Sequence, residues 1–202
     1  MKPNPPVVPL ADLAADAERR FGGLRRLYGD GSYTRLRQLR VAVVGLGGVG
    51  SWAVEALARS GVAGLTLIDM DHVAESNINR QVQATSDTVG MAKGEALRQR
   101  VHGIHPDCRV TCVDAFVEPA HWPAMLPAPV DVLIDACDQV RAKAALAVWA
   151  VGALVPIVCV GAAGGKRDVC QLEVDDLAKV SHDPLLAALR TRLRREHGLK
   201  AL

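Results

Sequence analysis

The run Val41-Ala42-Val43-Val44-Gly45-Leu46-Gly47-Gly48-Val49-Gly50 constrains this chain more than any other stretch, because an apolar strand empties into a glycine-rich turn that opens a helix. Such a turn is suited to holding phosphates. Gly45 permits the tight turn, Gly47 lets the backbone approach a phosphate, and Gly50 lets helix and strand pack, while unpaired amides at the helix start favour negative charge. A second strand, Leu65-Thr66-Leu67-Ile68, ends at Asp69, about 20 residues beyond the turn, where a ribose hydroxyl would find an acceptor. A glycine turn that only packs helix on strand would have no need of that acid.

Strand and helix patterns alternate with short connections, which implies a Rossmann-like, doubly wound α/β fold: a mostly parallel sheet with helices on both faces and an N-terminal helix. Strands are predicted at 41–44, 65–68, 109–113, 132–134, 157–160 and 169–174. Helices are predicted at 10–27, 48–59, 91–97, 140–151 and from Pro184 onward, the third being stopped by Ile104-His105-Pro106 because a proline disfavours helix in the residue before it. The 202 residues, half of them hydrophobic, suit a single well-buried domain at 19–202 behind a flexible leader at 1–18 that carries Pro3, Pro5, Pro6 and Pro9.

The balance of 24 basic against 22 acidic residues neither demands nor excludes a nucleic-acid partner. No apolar run approaches the roughly 18 residues of a membrane span and no signal-peptide core is present, so a cytoplasmic protein with no membrane partner is expected. Five cysteines without a C-x-x-C pair fit reduced thiols rather than a zinc site, with Cys108 and Cys112 read as small buried hydrophobes and Cys137 and Cys159 left ambiguous.

The polar segment after Asp69, from Met70 to Gln81, falls in the crevice where open α/β sheets bind ligands. Arg80 and Lys93 can neutralise phosphate oxygens there, and Asn77 can hold a ribose or phosphate by neutral hydrogen bonds. Each alone would read as a solvated surface residue; their weight comes from occurring together. Asp135 and Asp138 follow the fourth strand, and a carboxylate at that place could hold Mg²⁺ against phosphates, although Asp135 could equally be an ordinary cap.

These motifs together carry a resemblance. Gly45-x-Gly47-Gly48-x-Gly50, Asp69-x-Asp71, Ser76-Asn77-x-Asn79-Arg80-Gln81, Val89-Gly90-x-x-Lys93 and Asp135-x-x-Asp138 stand in the order and spacing of the ThiF/MoeB/HesA family of ubiquitin-activating-like adenylating enzymes. Within it, Arg20 to Gly29, Gly48-Val49-Gly50-Ser51-Trp52, Arg141-Ala142-Lys143-Ala144-Ala145 and Asp176-Leu177-Ala178-Lys179 with Asp183-Pro184-Leu185 resemble the tRNA threonylcarbamoyladenosine dehydratase branch, over residues 19–195. The resemblance implies ATP and Mg²⁺ as cofactors, with Asp69 on the ribose, Asn77, Arg80 and Lys93 on the phosphates, and Asp138 at the metal and α-phosphate. Gly45, Gly47, Gly48, Gly50 and Asp71 complete the implied nucleotide site, and Arg80, Lys93 and Asp138 are its implied catalytic residues.

It further implies a homodimer, a tRNA substrate and sulfur-transfer partners. An arginine near the N-terminus that reaches the partner's site in sulfur-carrier-activating relatives aligns with Gly23, leaving Arg20, Arg25 and Arg26 as substitutes. The branch continues past the point where this chain ends, so the domain is read as shortened at its C-terminus. The basic tail Arg190, Arg192, Arg194, Arg195 and Lys200, with Arg25, Arg26, Arg35, Arg37 and Arg40, is the candidate tRNA surface. Competing readings are adenylation of a ubiquitin-like sulfur carrier, an NAD-dependent oxidoreductase that shares the glycine fingerprint, and a nucleotide-binding module without chemistry.

Overall fold

The computed structural model describes residues 16–199, which form five strands and five α-helices. In chain order these are α1 (Ala17–Leu36), β1 (Arg40–Val44), α2 (Gly50–Arg59), β2 (Gly64–Ile68), α3 (Lys93–Ile104), β3 (Arg109–Val113), β4 (Val132–Asp135), α4 (Val140–Gly152), β5 (Ile157–Cys159) and α5 (Pro184–His197). All four strand pairings are parallel, in the order β3-β2-β1-β4-β5. The chain builds outward from β1 to β3, then crosses back to lay β4 beside β1. That reversal opens a crevice at the carboxyl ends of β1 and β4, where doubly wound sheets bind ligands.

Side-chain alternation along β1 divides the core. Val41 and Val43 pack with Leu65, Leu67, and the helix residues Val54, Ala58, Leu97 and Val101 on one face. Ala42 and Val44 pack with Leu133, Ala142 and Leu146 on the other. Helices α2 and α3 thus cover one face and α4 the other, as the near-continuous apolar runs of β1 and β2 require of strands buried on both sides. Helix α5 lies against α4 through Leu186, Leu189 and Leu193. Asp183 caps it by accepting from Leu186 N at 2.9 Å, and Gly198 ends it in the left-handed conformation (φ 65°).

Three expectations are corrected. The segment 169–174 is not a strand: Val169–Gln171 is a 3₁₀ turn, and Val169, Leu172 and Val174 are exposed. It alternates correctly but has no neighbouring strand among the described residues to complete its ladder. Cys112 is exposed because β3 is the sheet edge, whereas Cys108 is buried as expected. The N-terminal helix runs on to Leu36 across a break at Gly29 (φ 79°), and its expected residues 10–15, like most of the leader, lie outside the described residues.

Helix α1 is held by a cluster at its end. Arg37 donates to Gly61 O and lies 2.9 Å from His105 Nε2, with its guanidinium 4.7 Å from the Phe21 ring centre. His105 is buried after α3, and both its burial and the neighbouring Arg37 push its pKa below the ordinary value. The folded state therefore takes up this proton less readily than the unfolded chain, which protonates near pH 6.5, so this contribution to stability is present above about pH 6.5 and is lost as pH falls below it. The melting temperature should fall between about pH 7.5 and pH 5.5 in the parent protein and fall less in His105→Gln; equal slopes in thermal denaturation would remove His105 as the cause. At Gly50 a Cβ would overlap the Gly45 carbonyl oxygen. Gly50→Ala is expected to cost about 3 kcal/mol, read from urea denaturation.

Candidate nucleotide site

The glycine turn takes its shape from backbone contacts. Gly45 has φ 84°, donates to Ile68 O at 2.9 Å, and lies so close to the loop after β4 that a Cβ would stand 2.8 Å from Ala136 O. Only glycine meets both demands. Leu46 is then buried, its amide donating to Asp69 Oδ2 at 2.6 Å and its carbonyl accepting from Gln83 Nε2 at 3.1 Å. The amides of Gly47, Gly48 and Val49 have no hydrogen-bond partner among the described residues, and the first turn of α2 carries no acid. Open amides at a helix start without an acid in its first turn suit an anion.

Turn and strand ends line a cavity of about 580 Å³ at the crevice, within the range of small-molecule sites. Of the residues expected from the sequence, Gly45, Gly47, Gly48, Asp69, Asp71, Arg80, Lys93 and Asp138 line it together. Gly50 does not; its part is to let α2 approach the turn. Asp69 is braced on both oxygens, by Leu46 N and by Asp71 N at 2.8 Å. Lys93 opens α3, is nearly buried, and pairs with the half-exposed Asp71 at 2.7 Å.

Asn77 does not line the cavity. It is buried, and its Oδ1 accepts from Ala74 N at 3.0 Å, capping the 3₁₀ turn Glu75–Asn77. Its carbonyl accepts from Arg80 N at 3.1 Å, so Asn77 holds the turn that presents Arg80. The Arg80 guanidinium bonds to Ser76 O at 2.7 Å and Asn79 Oδ1 at 3.0 Å, neither of them charged, and stays exposed. Its positive charge remains available to an anion.

Asp135 and Asp138 separate cleanly. Asp135 is fully buried, with Oδ2 3.0 Å from Lys143 Nζ and Oδ1 accepting from Cys137 N at 3.2 Å. It does not line the cavity, and the residue that caps α4 is Gln139. Asp138 is exposed on the cavity wall without an ion pair or side-chain hydrogen bond among the described residues, and no group of three or more metal-ligating side chains exists among them. A lone free carboxylate beside a phosphate-binding turn suits Mg²⁺, which keeps most of its waters and takes one or two carboxylates together with substrate phosphates.

Sequence reasoning missed several walls of the cavity. Phe116, after β3, lines the cavity, as do Gly161, Ala162, Ala163 and Gly164, after β5. A second glycine-rich strand end at Gly161 and Gly164 was the available signal for the latter. Cys137 also lines the cavity, but burial and the nearby Asp135 carboxylate push its thiol far up, and burial pushes Cys159 up to about 12. Neither is a poised nucleophile.

The expected basic surface is partly neutralised. Arg25 pairs with Glu18 and Asp30, Arg40 with Asp131, and Arg192 and Arg195 share Glu196, whereas Arg190 donates to Leu177 O and Val180 O and Arg37 to Gly61 O, uncharged acceptors that hold the side chains without cancelling their charge. Arg26, Arg35 and Arg194 remain exposed without a carboxylate partner among the described residues, while Lys200 lies outside them. Arg20, which donates to Ile104 O, and Arg25 and Arg26 do not line the cavity.

The ThiF family model matches residues 21–193. The chain is 48% identical over 188 residues to tRNA threonylcarbamoyladenosine dehydratase of Escherichia coli (strain K12), covering 93% of this chain and 70% of that protein. It is 36% identical over 165 residues to the enzyme of that name from Bacillus subtilis (strain 168), covering 82% and 65% respectively. Molybdopterin-synthase adenylyltransferase of Escherichia coli is 39% identical over a shorter 123 residues, 61% of this chain and 49% of that one. The crystal structure of the Escherichia coli dehydratase in complex with ATP superimposes with a TM-score of 0.87 at 47% identity, covering 92% of this chain and 77% of that chain. With its family pattern, its fold and its pocket in agreement, this chain belongs to the ThiF family.

Proposed function

We propose that the protein activates the carboxylate of threonylcarbamoyladenosine in tRNA with ATP and closes it to a cyclic form, a net dehydration. The observation that carries this reading is the gathering of Arg80, Lys93 and Asp138 with the open glycine amides in one cavity. A dinucleotide oxidoreductase would need the turn and Asp69, but not two cations and a free carboxylate around them. The greater reach of the similarity to the dehydratases than to the adenylyltransferase favours the tRNA substrate over a sulfur carrier.

In this reading a substrate carboxylate oxygen attacks the α-phosphorus and pyrophosphate leaves, giving an acyl-adenylate. A nucleophile of the same substrate side chain then attacks the acyl carbon and expels AMP. Ring closure within one substrate needs positioning more than a protein nucleophile, in keeping with the inert thiols. The protein's task is to stabilise charge: the amides of Gly47 and Gly48, Arg80 and Lys93 face the phosphates. Lys93 reaches them by exchanging its Asp71 partner for a phosphate oxygen or by sharing it. Asp138 would hold Mg²⁺, which when bound would supply further charge neutralisation to the phosphates. Asp69 takes the ribose, and Phe116 is the aromatic lining residue available to the base.

The same reading includes a homodimer, transient sulfur-transfer partners and work in the cytoplasm, where tRNA is modified; no helix among the described residues is long and apolar enough to cross a membrane. With Arg26, Arg35 and Arg194 as the exposed arginines of this surface that have no carboxylate partner among the described residues, tRNA contacts here would be few, and affinity should fall only about as fast with salt as two or three phosphate contacts dictate. Incubation with ATP, Mg²⁺ and modified tRNA should release AMP and remove one water from the nucleoside. Asp138→Ala should lower this rate by at least about 100-fold while the protein stays folded. Pyrophosphate and a carrier-bound AMP formed only with a carrier protein would instead establish the sulfur-carrier reaction, and near-normal turnover of Asp138→Ala would remove that residue from the site.

A further inference from the structure

Beneath the cavity lies a charge pair that the mechanism does not use. Lys143 on α4 and Asp135 at the end of β4 are both fully buried, 3.0 Å apart. Burying two charges costs more desolvation than packing apolar residues of similar size, so such a pair is weak as a device for stability alone. Asp135 Oδ2 even lacks a partner in hydrogen-bond geometry.

The ammonium also binds backbone. Lys143 Nζ lies 3.1 Å from Cys137 O, 2.9 Å from Val160 O and 3.4 Å from Asp135 O. Cys137 O belongs to the peptide unit that leads into Asp138, and Val160 O to the unit that leads into Gly161. One buried cation therefore orients the two peptide planes that immediately precede two walls of the cavity. Asp135 grips the first of these segments from its other side, accepting from the Cys137 amide and from its thiol at 3.1 Å.

We infer that Lys143 is a positioning residue of the nucleotide site, which through these two carbonyls sets where Asp138 and the 161–164 wall stand relative to the bound phosphates. It touches no substrate itself. Without the ammonium the two part-buried carbonyls lose their donor, the peptide units turn toward other partners, and Asp138 leaves its place. A displacement of about 1 Å is enough to cost around 100-fold in a positioned site. The inference rests on the ATP-binding part of the proposed function and is independent of which carboxylate is activated.

The test compares Lys143→Met with the double variant Asp135→Asn/Lys143→Met, which removes both buried charges and so avoids leaving a lone carboxylate in the core. MgATP affinity by titration calorimetry and the melting temperature are measured for each. The double variant should keep a melting temperature close to that of the parent protein, and both variants should bind MgATP at least about tenfold more weakly. In an Asp138→Ala background the effect of Lys143→Met should shrink by at least about threefold, because part of what it positions is gone. MgATP affinity within twofold of the parent protein in the folded double variant would overturn the inference, as would an undiminished effect in the Asp138→Ala background. Failure of the tRNA reading would show elsewhere, as absence of dehydration by the parent protein.

Discussion

The close approach of the glycine turn to the loop after β4 is the constraint on which the rest of the site depends. With Gly45 set against the Ala136 backbone and Gly50 against the Gly45 carbonyl, β1, α2 and the end of β4 meet with no room for a side chain between them. The turn is thereby pressed into the switch point of the sheet. Its amides open onto the same space as the segment that carries Asp138. A bulkier turn would separate the phosphate cradle from the carboxylate and leave two half-sites.

Electrostatics around that space are divided between held and available charge. Asp69 accepts one amide on each oxygen and keeps acceptor capacity for a further donor. Lys93 is neutralised by Asp71, whereas Arg80 and Asp138 are not neutralised by any neighbour among the described residues. An entering nucleotide therefore meets one free cation, one cation on loan to an acid, and a free carboxylate on the opposite wall. That asymmetry suits a triphosphate that must be bound and then cleaved at its α-phosphorus.

Much of this was legible in the sequence because local pattern and tertiary role coincide there. The apolar runs of β1 and β2 and the spacing of the glycines specify a parallel sheet and its ligand-binding turn without knowledge of any contact. Legibility failed where the outcome depends on a neighbour. Residues 169–174 have strand alternation but no strand beside them, and Cys112 has the same local pattern as buried Cys108 but falls on the sheet edge. Asp135 and Asp138 look alike in sequence; the strand carries one into the core against Lys143 and leaves the other on the cavity wall. Asn77 spends its side chain on a turn, and Phe116 enters the site from a loop whose sequence carries no signal.

The most direct test of the central claim, that this cavity activates a carboxylate at the α-phosphorus of ATP, is an isotope transfer. Modified tRNA whose threonylcarbamoyl carboxylate carries ¹⁸O is turned over with unlabelled ATP, and the nucleotide and phosphate products are examined by mass spectrometry. Attack on the α-phosphorus followed by ring closure predicts AMP carrying one ¹⁸O and unlabelled pyrophosphate. Label in inorganic phosphate with ADP as the nucleotide product, or AMP without label, would contradict it.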